Sequence, residues 1–313
     1  MNIADATAKY IRHSRSLGKH FTAENAILTA FCRSIGNPPL CDIQPEMIKC
    51  FVNREGTSDE TVRRKHRALA GFFRFAVTRH LLKSSPMPCD MRKHRWSTYT
   101  PYIYTDVELR RLVNSIPAAA GKRTDIDPDT LRTLLLLLYG AALRRGEALR
   151  LQLGDLDLTQ SLIVVRATKF FKTRIVPMGT SLSGVMQTFI KNRRKHWPME
   201  IDSPVFCKRD GRPLSHTIVA SAFRRLRLIS GIRRDGGARN QPRLHDLRHS
   251  AAVHRVTAWY RQGADLNDLL PKLATYLGHK DLSGTQRYLT MTQELLAEAS
   301  FKFETFVRGN CHD

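Results

Sequence analysis

Two stretches near the end of the chain decide its reading. One is Leu244-His245-Asp246-Leu247-Arg248-His249; the other is Leu277-Gly278-His279-Lys280-Asp281-Leu282-Ser283-Gly284-Thr285-Gln286-Arg287-Tyr288-Leu289. His245 and Arg248 stand three apart, a spacing that puts both on one face of a helix. His279 precedes Tyr288 by nine residues. Far upstream, Ala142-Leu143-Arg144-Arg145-Gly146-Glu147-Ala148-Leu149 places an arginine and a glutamate at the same helical spacing. Two arginines, two histidines and a tyrosine suit the task of holding a phosphate while a phenol oxygen attacks it.

The chemistry gives each type a reason. Guanidinium groups stay charged and bond phosphate oxygens bidentately. Arg144 and Arg248 therefore fit the negative charge that gathers on a pentacoordinate phosphorus, where losing one preorganised donor costs on the order of 10²–10³ in rate. His245 and His279 are suited to donating a bond to the phosphate or handling a proton near neutral pH. A leaving 5′ oxygen needs a proton, and Lys169 and Lys172 both stand where a hairpin tip is expected. A tyrosine ester keeps the bond energy, so strands can be rejoined without ATP or metal. Taken singly, an arginine on a helix is usually a surface charge, a lone histidine a satisfied core residue and a tyrosine a packing residue. The order and spacing of all of them together carry the reading.

Composition points the same way. The chain has 313 residues and a formal charge of +23, with an isoelectric point near 10.3. Such an excess implies a polyanionic partner, nucleic acid before an anionic membrane surface. The longest apolar run, Leu134 to Leu143, is well short of the roughly 20 residues that span a bilayer, and reads as a buried helix. Met1 to Tyr10 has no secretory pattern. The six cysteines, Cys32, Cys41, Cys50, Cys89, Cys207 and Cys311, include no C-x-x-C pair and read as reduced packing residues of a cytoplasmic protein. His245 and His249 stand four apart, but no acidic or cysteine partner lies at ligand spacing, so no metal and no cofactor is expected.

In chain order, residues 1–83 read as a basic helical domain. Helices are expected over Ala6–Leu17 and Thr22–Ile35, from Pro45, and over Glu60–Leu82 with Ser58 as its N-cap. Phe31, Phe51, Phe72, Phe73 and Phe75 are its expected core. Val62, Leu69, Phe73, Ala76, Val77 and Leu81 form one apolar face of the last helix. Arg63, Arg64, Arg67 and Arg74 lie off that face, available to phosphates. Residues 84–104, with Pro86, Pro88 and the run Arg92-Lys93-His94-Arg95-Trp96, read as a linker. A second domain, 105–313, opens with a capping box at Thr105 and Glu108. Pro117 and Gly121 end that helix. A buried helix over Thr130–Tyr139 follows, then a small antiparallel sheet with strands Leu162–Val165 and Arg174–Pro177. Helices over Leu182–Ile190 and Thr217–Ser230 and a Gly/Arg-rich loop, Arg233–Asn240, lead to His245.

Together these residues resemble the tyrosine recombinases of the phage-integrase family, over nearly the whole chain. An L-R-x-x-E box is matched by Leu143-Arg144-Arg145-Gly146-Glu147. The sheet lysine five residues before an arginine that introduces V-P is matched by Lys169 and Arg174. The H-x-L-R-H box is His245 to His249, and the L-G-H segment with its tyrosine nine residues on is Leu277-Gly278-His279 and Tyr288. The resemblance implies a mainly α fold with a small antiparallel β-sheet (α+β): a helical N-terminal core-binding (SAM-like) domain and a tyrosine-recombinase catalytic domain with a tail helix from about residue 290.

It further implies that Tyr288 is the nucleophile forming a 3′-phosphotyrosine, that Arg144 and Arg248 clamp the scissile phosphate with His245 and His279 assisting, that Lys169 is the general acid and that Glu147 supports the site. Phe170-Phe171 follows Lys169 where the family often has glycine, which keeps Lys172 open as the acid. Met291, Leu295, Leu296, Ala299, Phe303 and Phe306 make an apolar stripe that, by resemblance, docks on a neighbouring subunit of a tetramer assembled on double-stranded DNA, with an accessory DNA-bending protein or partner recombinase as a further partner. The implied activity is site-specific recombination of a mobile element. A type IB topoisomerase and a non-catalytic DNA-binding module are the other readings. The tail and the N-terminal domain speak against the first, and the filled motif positions against the second.

Overall fold

A computed structural model of the chain describes residues 1–88, 100–120, 124–166, 173–197, 199–279, 283–286 and 288. They fall into two compact units, Met1–Thr98 and Tyr99–Asp313. The fold is mainly helical with one small antiparallel sheet, the class that the motifs imply.

The first unit packs four helices: α1 (Ile3–Ser16), α2 (Thr22–Ser34), α3 (Pro45–Val52) and α4 (Asp59–Thr78). Caps set their starts. Asn2 accepts from the Asp5 N–H at 2.8 Å, Pro45 opens α3, and Ser58 accepts from the Thr61 N–H. Phe31, Phe72, Phe73, Leu28, Ile48 and Leu69 form the buried centre. Phe51 packs on Phe31 at 5.1 Å between ring centroids. Phe75 departs from the expectation: it is half-buried between Tyr10 and His13. Arg63, Arg64, Arg67 and Arg74 are all exposed.

Helix α4 stops four residues before the expected Leu82. His80 turns left-handed at φ 56°. Its N–H then reaches the Val77 carbonyl at 2.9 Å and the Leu81 N–H reaches Ala76 at 2.8 Å. That crossed pair closes the helix and folds Leu81 back onto the core. Glycine normally announces such a stop; a histidine in its place leaves the apolar pattern looking continuous.

The second unit is arranged around α7 (Pro128–Gly140), which packs against α9 (Thr180–Arg193) and α11 (Asp246–Arg261). Before it come α5 (Asp106–Asn114), with its capping box at Thr105 and Glu108, and α6 (Ile116–Ala119). Pro117 thus begins a short helix instead of ending one, since the first turn needs no N–H from it. Helix α7 starts two residues before the expected Thr130 because Asp127 accepts from the Thr130 N–H at 2.9 Å. After α8 (Arg145–Ala148), β1 (Leu156–Asp157), β2 (Leu162–Val165) and β3 (Arg174–Pro177) pair antiparallel in the order β1-β2-β3, with Val165 opposite Arg174. Ile163, Val165 and Val176 point into the core. Then follow α10 (His216–Ile229), α11, α12 (Leu266–Leu277) and α13 (Ser283–Gln286).

Helix α12 has no counterpart in the sequence reading. Its Leu270, Leu273 and Leu277 join Val253, Val256, Ala142 and Tyr288 in one buried cluster. Gly278, at φ 65°, ends it, and the His279 N–H returns to the Ala274 carbonyl at 2.9 Å. Among the described residues, no helix is long and apolar enough to cross a membrane. Cys32, Cys41, Cys50 and Cys207 are free thiols.

Candidate active site

The site forms where α8, β3, α11 and the end of α12 converge on one carboxylate. Glu147 is buried and sits three residues after Arg144, the cap residue of α8. It accepts from the Arg144 N–H at 2.9 Å and from Arg144 Nη1 at 2.7 Å. From the other side, Arg174 reaches both of its oxygens, Nη1 at 3.0 Å and Nη2 at 2.8 Å. Arg248 lies 3.9 Å from Oε2. One carboxylate thus anchors three guanidinium groups, and the surplus is positive.

The same arginines terminate α12. The last carbonyls of a helix have no partner within it and carry its negative end. Here Tyr276 receives Arg174 Nε at 3.0 Å, Gly278 receives Arg144 Nη2 at 2.8 Å, and Leu277 receives Arg248 Nη2. Three successive carbonyls take three different arginines. Arg248 Nη1 also donates to the Ala142 carbonyl at 2.6 Å, and Ala142 itself is left-handed, at φ 48°. Non-glycine residues held this way cost energy and cluster at functional sites. Arg248 lies almost wholly inside the protein, 2% exposed. Arg144 keeps 35% of its side chain in solvent.

Burial opposes the charge on Glu147, but the hydrogen bonds and charges of Arg174 and Arg144 outweigh it and hold the carboxyl down to about 2. Burial, then the charge of Arg144, lowers Arg248 to about 10, so it remains a cation at neutral pH. His245 precedes α11 and is an exposed residue, yet desolvation of its imidazole, with Arg248, Arg144 and Arg145 nearby, pulls it down to about 4. It is therefore neutral at pH 7. Its backbone is braced: the Arg243 N–H donates to Asp246 at 2.7 Å, and Ser250 links Asp246 to the Tyr104 N–H.

Tyr288 is 2% exposed. Its N–H is held by the Thr285 carbonyl at 2.9 Å, and its hydroxyl lies 3.2 Å from Nδ1 of His249. His279 stacks beside the phenol ring at 6.1 Å between centroids and shares a hydrogen bond with the Thr285 hydroxyl at 2.7 Å. His245 and His249 meet edge to face at 4.9 Å.

The structure thus brings Arg144, Arg248 and His245 to Glu147, and His279 and Tyr288 to each other beside His249 and the end of α12. Lys169 and Lys172 lie outside the described residues, as does the apolar stripe from Met291 to Phe306. Arg174 and His249 escape the sequence reading as site residues. Arg174 reads there as the start of a strand and as the marker that places Lys169, without a task of its own, and its carbonyl partner is 102 positions away. His249 belongs to a quoted motif, but only the fold brings the tyrosine to it. Arg144 and His245 open onto a cavity of about 770 Å³ whose other charged lining groups, Arg145, His216, Arg224 and Arg243 among them, are all basic or imidazole. Among the described residues, no group of three His, Cys, Asp or Glu is placed to hold a metal ion.

The unit is mainly helical, with an arginine-clamped carboxylate, a cavity whose charged lining is basic, and a buried tyrosine. The sequence profile described as "Phage integrase family" matches residues 106–294. The chain is 31% identical over 303 residues to the integrase/recombinase y4rE of Sinorhizobium fredii, covering 95% of this chain and 94% of that one. It is 27% identical over 307 residues to the tyrosine recombinase XerC of Oceanobacillus iheyensis, covering 93% and 91%. A structure of the Tn1549 transposon integrase in complex with transposon right end DNA shares the fold, with a TM-score of 0.69 and 21% identity over 98% of this chain and all of that one. The chain belongs to the phage integrase family of tyrosine recombinases.

Proposed function

We propose that the protein is a site-specific DNA recombinase that cuts and rejoins double-stranded DNA through a 3′-phosphotyrosine, in the service of a mobile element. The observation that carries this reading is the placement of Tyr288, its hydroxyl 3.2 Å from His249, its ring stacked beside His279 and its charge coupled to that of Arg248, with Arg144 open to a cavity whose charged lining groups are all arginine or histidine. A DNA strand enters that cavity, and its phosphate replaces the anion that the surplus of guanidinium charge calls for. Arg144 and Arg248 bond the non-bridging oxygens as charge builds on them. His245, neutral at pH 7, and His279 donate to the same oxygens. The Tyr288 oxygen attacks phosphorus, the bond to the 5′ oxygen breaks, and a lysine of the β2–β3 connection, Lys169, protonates the leaving oxygen. The reverse attack by a 5′ hydroxyl from another strand completes exchange without ATP or metal.

On this reading residues 1–83 are a core-binding domain whose exposed Arg63, Arg64, Arg67 and Arg74 contact phosphates, residues 84–104 a linker and residues 105–313 the catalytic domain. Four copies assemble on paired sites, with the stripe from Met291 to Phe306 docking between subunits. That solved relatives are bound to DNA supports the choice of partner.

Trapping tests it. Duplexes enriched for binding from a randomised pool are nicked beside the cleavage position, so that the freed short strand diffuses away and the adduct accumulates. The expected adduct maps to Tyr288 by mass spectrometry and is absent from Tyr288→Phe. An adduct on another residue, or one formed by the phenylalanine variant, refutes the proposal.

A further inference from the structure

We infer that His249 is the base that removes the phenolic proton of Tyr288 during attack. The inference rests on Tyr288 being the nucleophile and assigns a group to a task that the arginines cannot perform. A phenol becomes a competent nucleophile only as its proton leaves, and guanidinium groups, already cationic, cannot take it.

Geometry selects the acceptor. Nδ1 of His249 is 3.2 Å from the Tyr288 hydroxyl oxygen, at the outer edge of the reach for direct proton transfer. His279 is differently arranged. Its Nδ1 is occupied with the Thr285 hydroxyl at 2.7 Å, and its ring lies within 27° of parallel to the phenol, face toward face. His245 sits among Arg248, Arg144 and Arg145, whose charges oppose taking up a proton; it is better suited to donating a bond to the phosphate. His249, on α11, lies one helical turn after His245, the cap residue that precedes the helix, with its ring edge to face against that of His245. The same turn of α11 therefore presents one imidazole toward the cavity and the other toward the nucleophile.

The step balances. His249 begins as the neutral Nε2–H tautomer. As the Tyr288 oxygen bonds to phosphorus, its proton moves to Nδ1, giving an imidazolium. The P–O5′ bond breaks and the 5′ oxygen takes a proton from the lysine acid. In rejoining, the 5′ hydroxyl attacks the phosphotyrosine, and the departing phenolate regains its proton from Nδ1 of His249.

A residue that merely tethered the phenol would behave differently from one that accepts its proton, and two variants distinguish them. His249→Asn keeps a polar atom near the position of Nδ1 but cannot become protonated; His249→Ala leaves room for a free imidazole. With nicked suicide DNA, both are expected to form the Tyr288 adduct on the order of 10²–10⁴ more slowly than the parent, the usual contribution of general acid–base catalysis. Added imidazole restores part of the rate in His249→Ala and none in His249→Asn. Replacing the bridging 5′ oxygen by sulfur, a leaving group that needs no proton, rescues neither. Parental rates in a folded His249→Asn enzyme, rescue by the sulfur substrate, or no response of folded His249→Ala to imidazole would overturn the inference. If the alanine variant fails to fold, His249→Asn with the sulfur substrate decides alone. Failure of the underlying reading looks different: the parent enzyme itself would then yield no adduct at Tyr288.

Discussion

Glu147→Gln is the most informative single perturbation, because one side chain holds three arginines. The glutamine is nearly isosteric but uncharged, so Arg174 and the almost fully buried Arg248 lose their counter-ion. The magnitude follows from the carboxyl, held at about 2 against an ordinary 4.5. That gap of about 2.5 pH units, at 1.36 kcal/mol each, corresponds to roughly 3 kcal/mol of extra stability when Glu147 is ionised. It falls at the low end of the ~3–5 kcal/mol lost when a buried pair is broken by removing one partner. The sign is fixed by linkage. The folded value is the lower one, so this stabilisation is complete above about pH 4.5 and is lost as pH falls toward 2.

The assay is urea unfolding of parent and variant across pH, followed by tryptophan fluorescence, to which Trp197 and Trp259, two of the three tryptophans, contribute from the C-terminal unit. Taking the difference between the two proteins removes the other carboxylates, which titrate in both. A gap of about 3 kcal/mol at pH 7 should shrink steadily below pH 4.5 and largely vanish near pH 2. Equal stability at pH 7, or a gap that stays constant into acid, would refute the account of Glu147 as the electrostatic hub.

Other outcomes follow from the same geometry. His245 should titrate near 4 in an NMR series, and its contribution to stability, complete above about pH 6.5, should decline as pH falls toward 4; a signal titrating near 6.5 that disappears in His245→Asn would contradict its placement among the arginines. Gly278→Ala puts a methyl 3.0 Å from Arg174 Nη1 in a left-handed position, at a cost of roughly 1–2 kcal/mol from the backbone alone, and should lower both the melting temperature and the rate of adduct formation. Phe73→Ala empties the centre of the N-terminal unit, where Phe73 packs on Phe72 and Phe31; about 3–5 kcal/mol should be lost, seen as a lower denaturation midpoint for that unit.

Much of the local structure is legible from residue types alone. Ser58, Thr105 and Glu108 cap helices as their spacing predicts, and the β-branched run of β2 pairs with β3. Errors fall where a backbone turn uses an unexpected residue. His80 closes α4 in a conformation usually reserved for glycine, and Pro117 and Asp127 start helices that the apolar pattern places later or ends there. Helix α12 goes unread before the motif at its end, although Leu266, Leu270, Leu273 and Leu277 repeat along it.

What the linear order of residues decides by itself is the inventory: a strongly basic, mainly helical chain carrying Arg144, His245, Arg248, His279 and Tyr288 in motifs of fixed spacing. Propensity, capping and charge act over a few positions, so they can be read along the chain. Tertiary structure alone decides the contacts of Arg174 and His249, and the matching of three arginines to three consecutive carbonyls at the end of α12. Those contacts join residues 29 to 134 positions apart. They exist because desolvated carbonyls and a buried carboxylate must find cations once the core has closed around them.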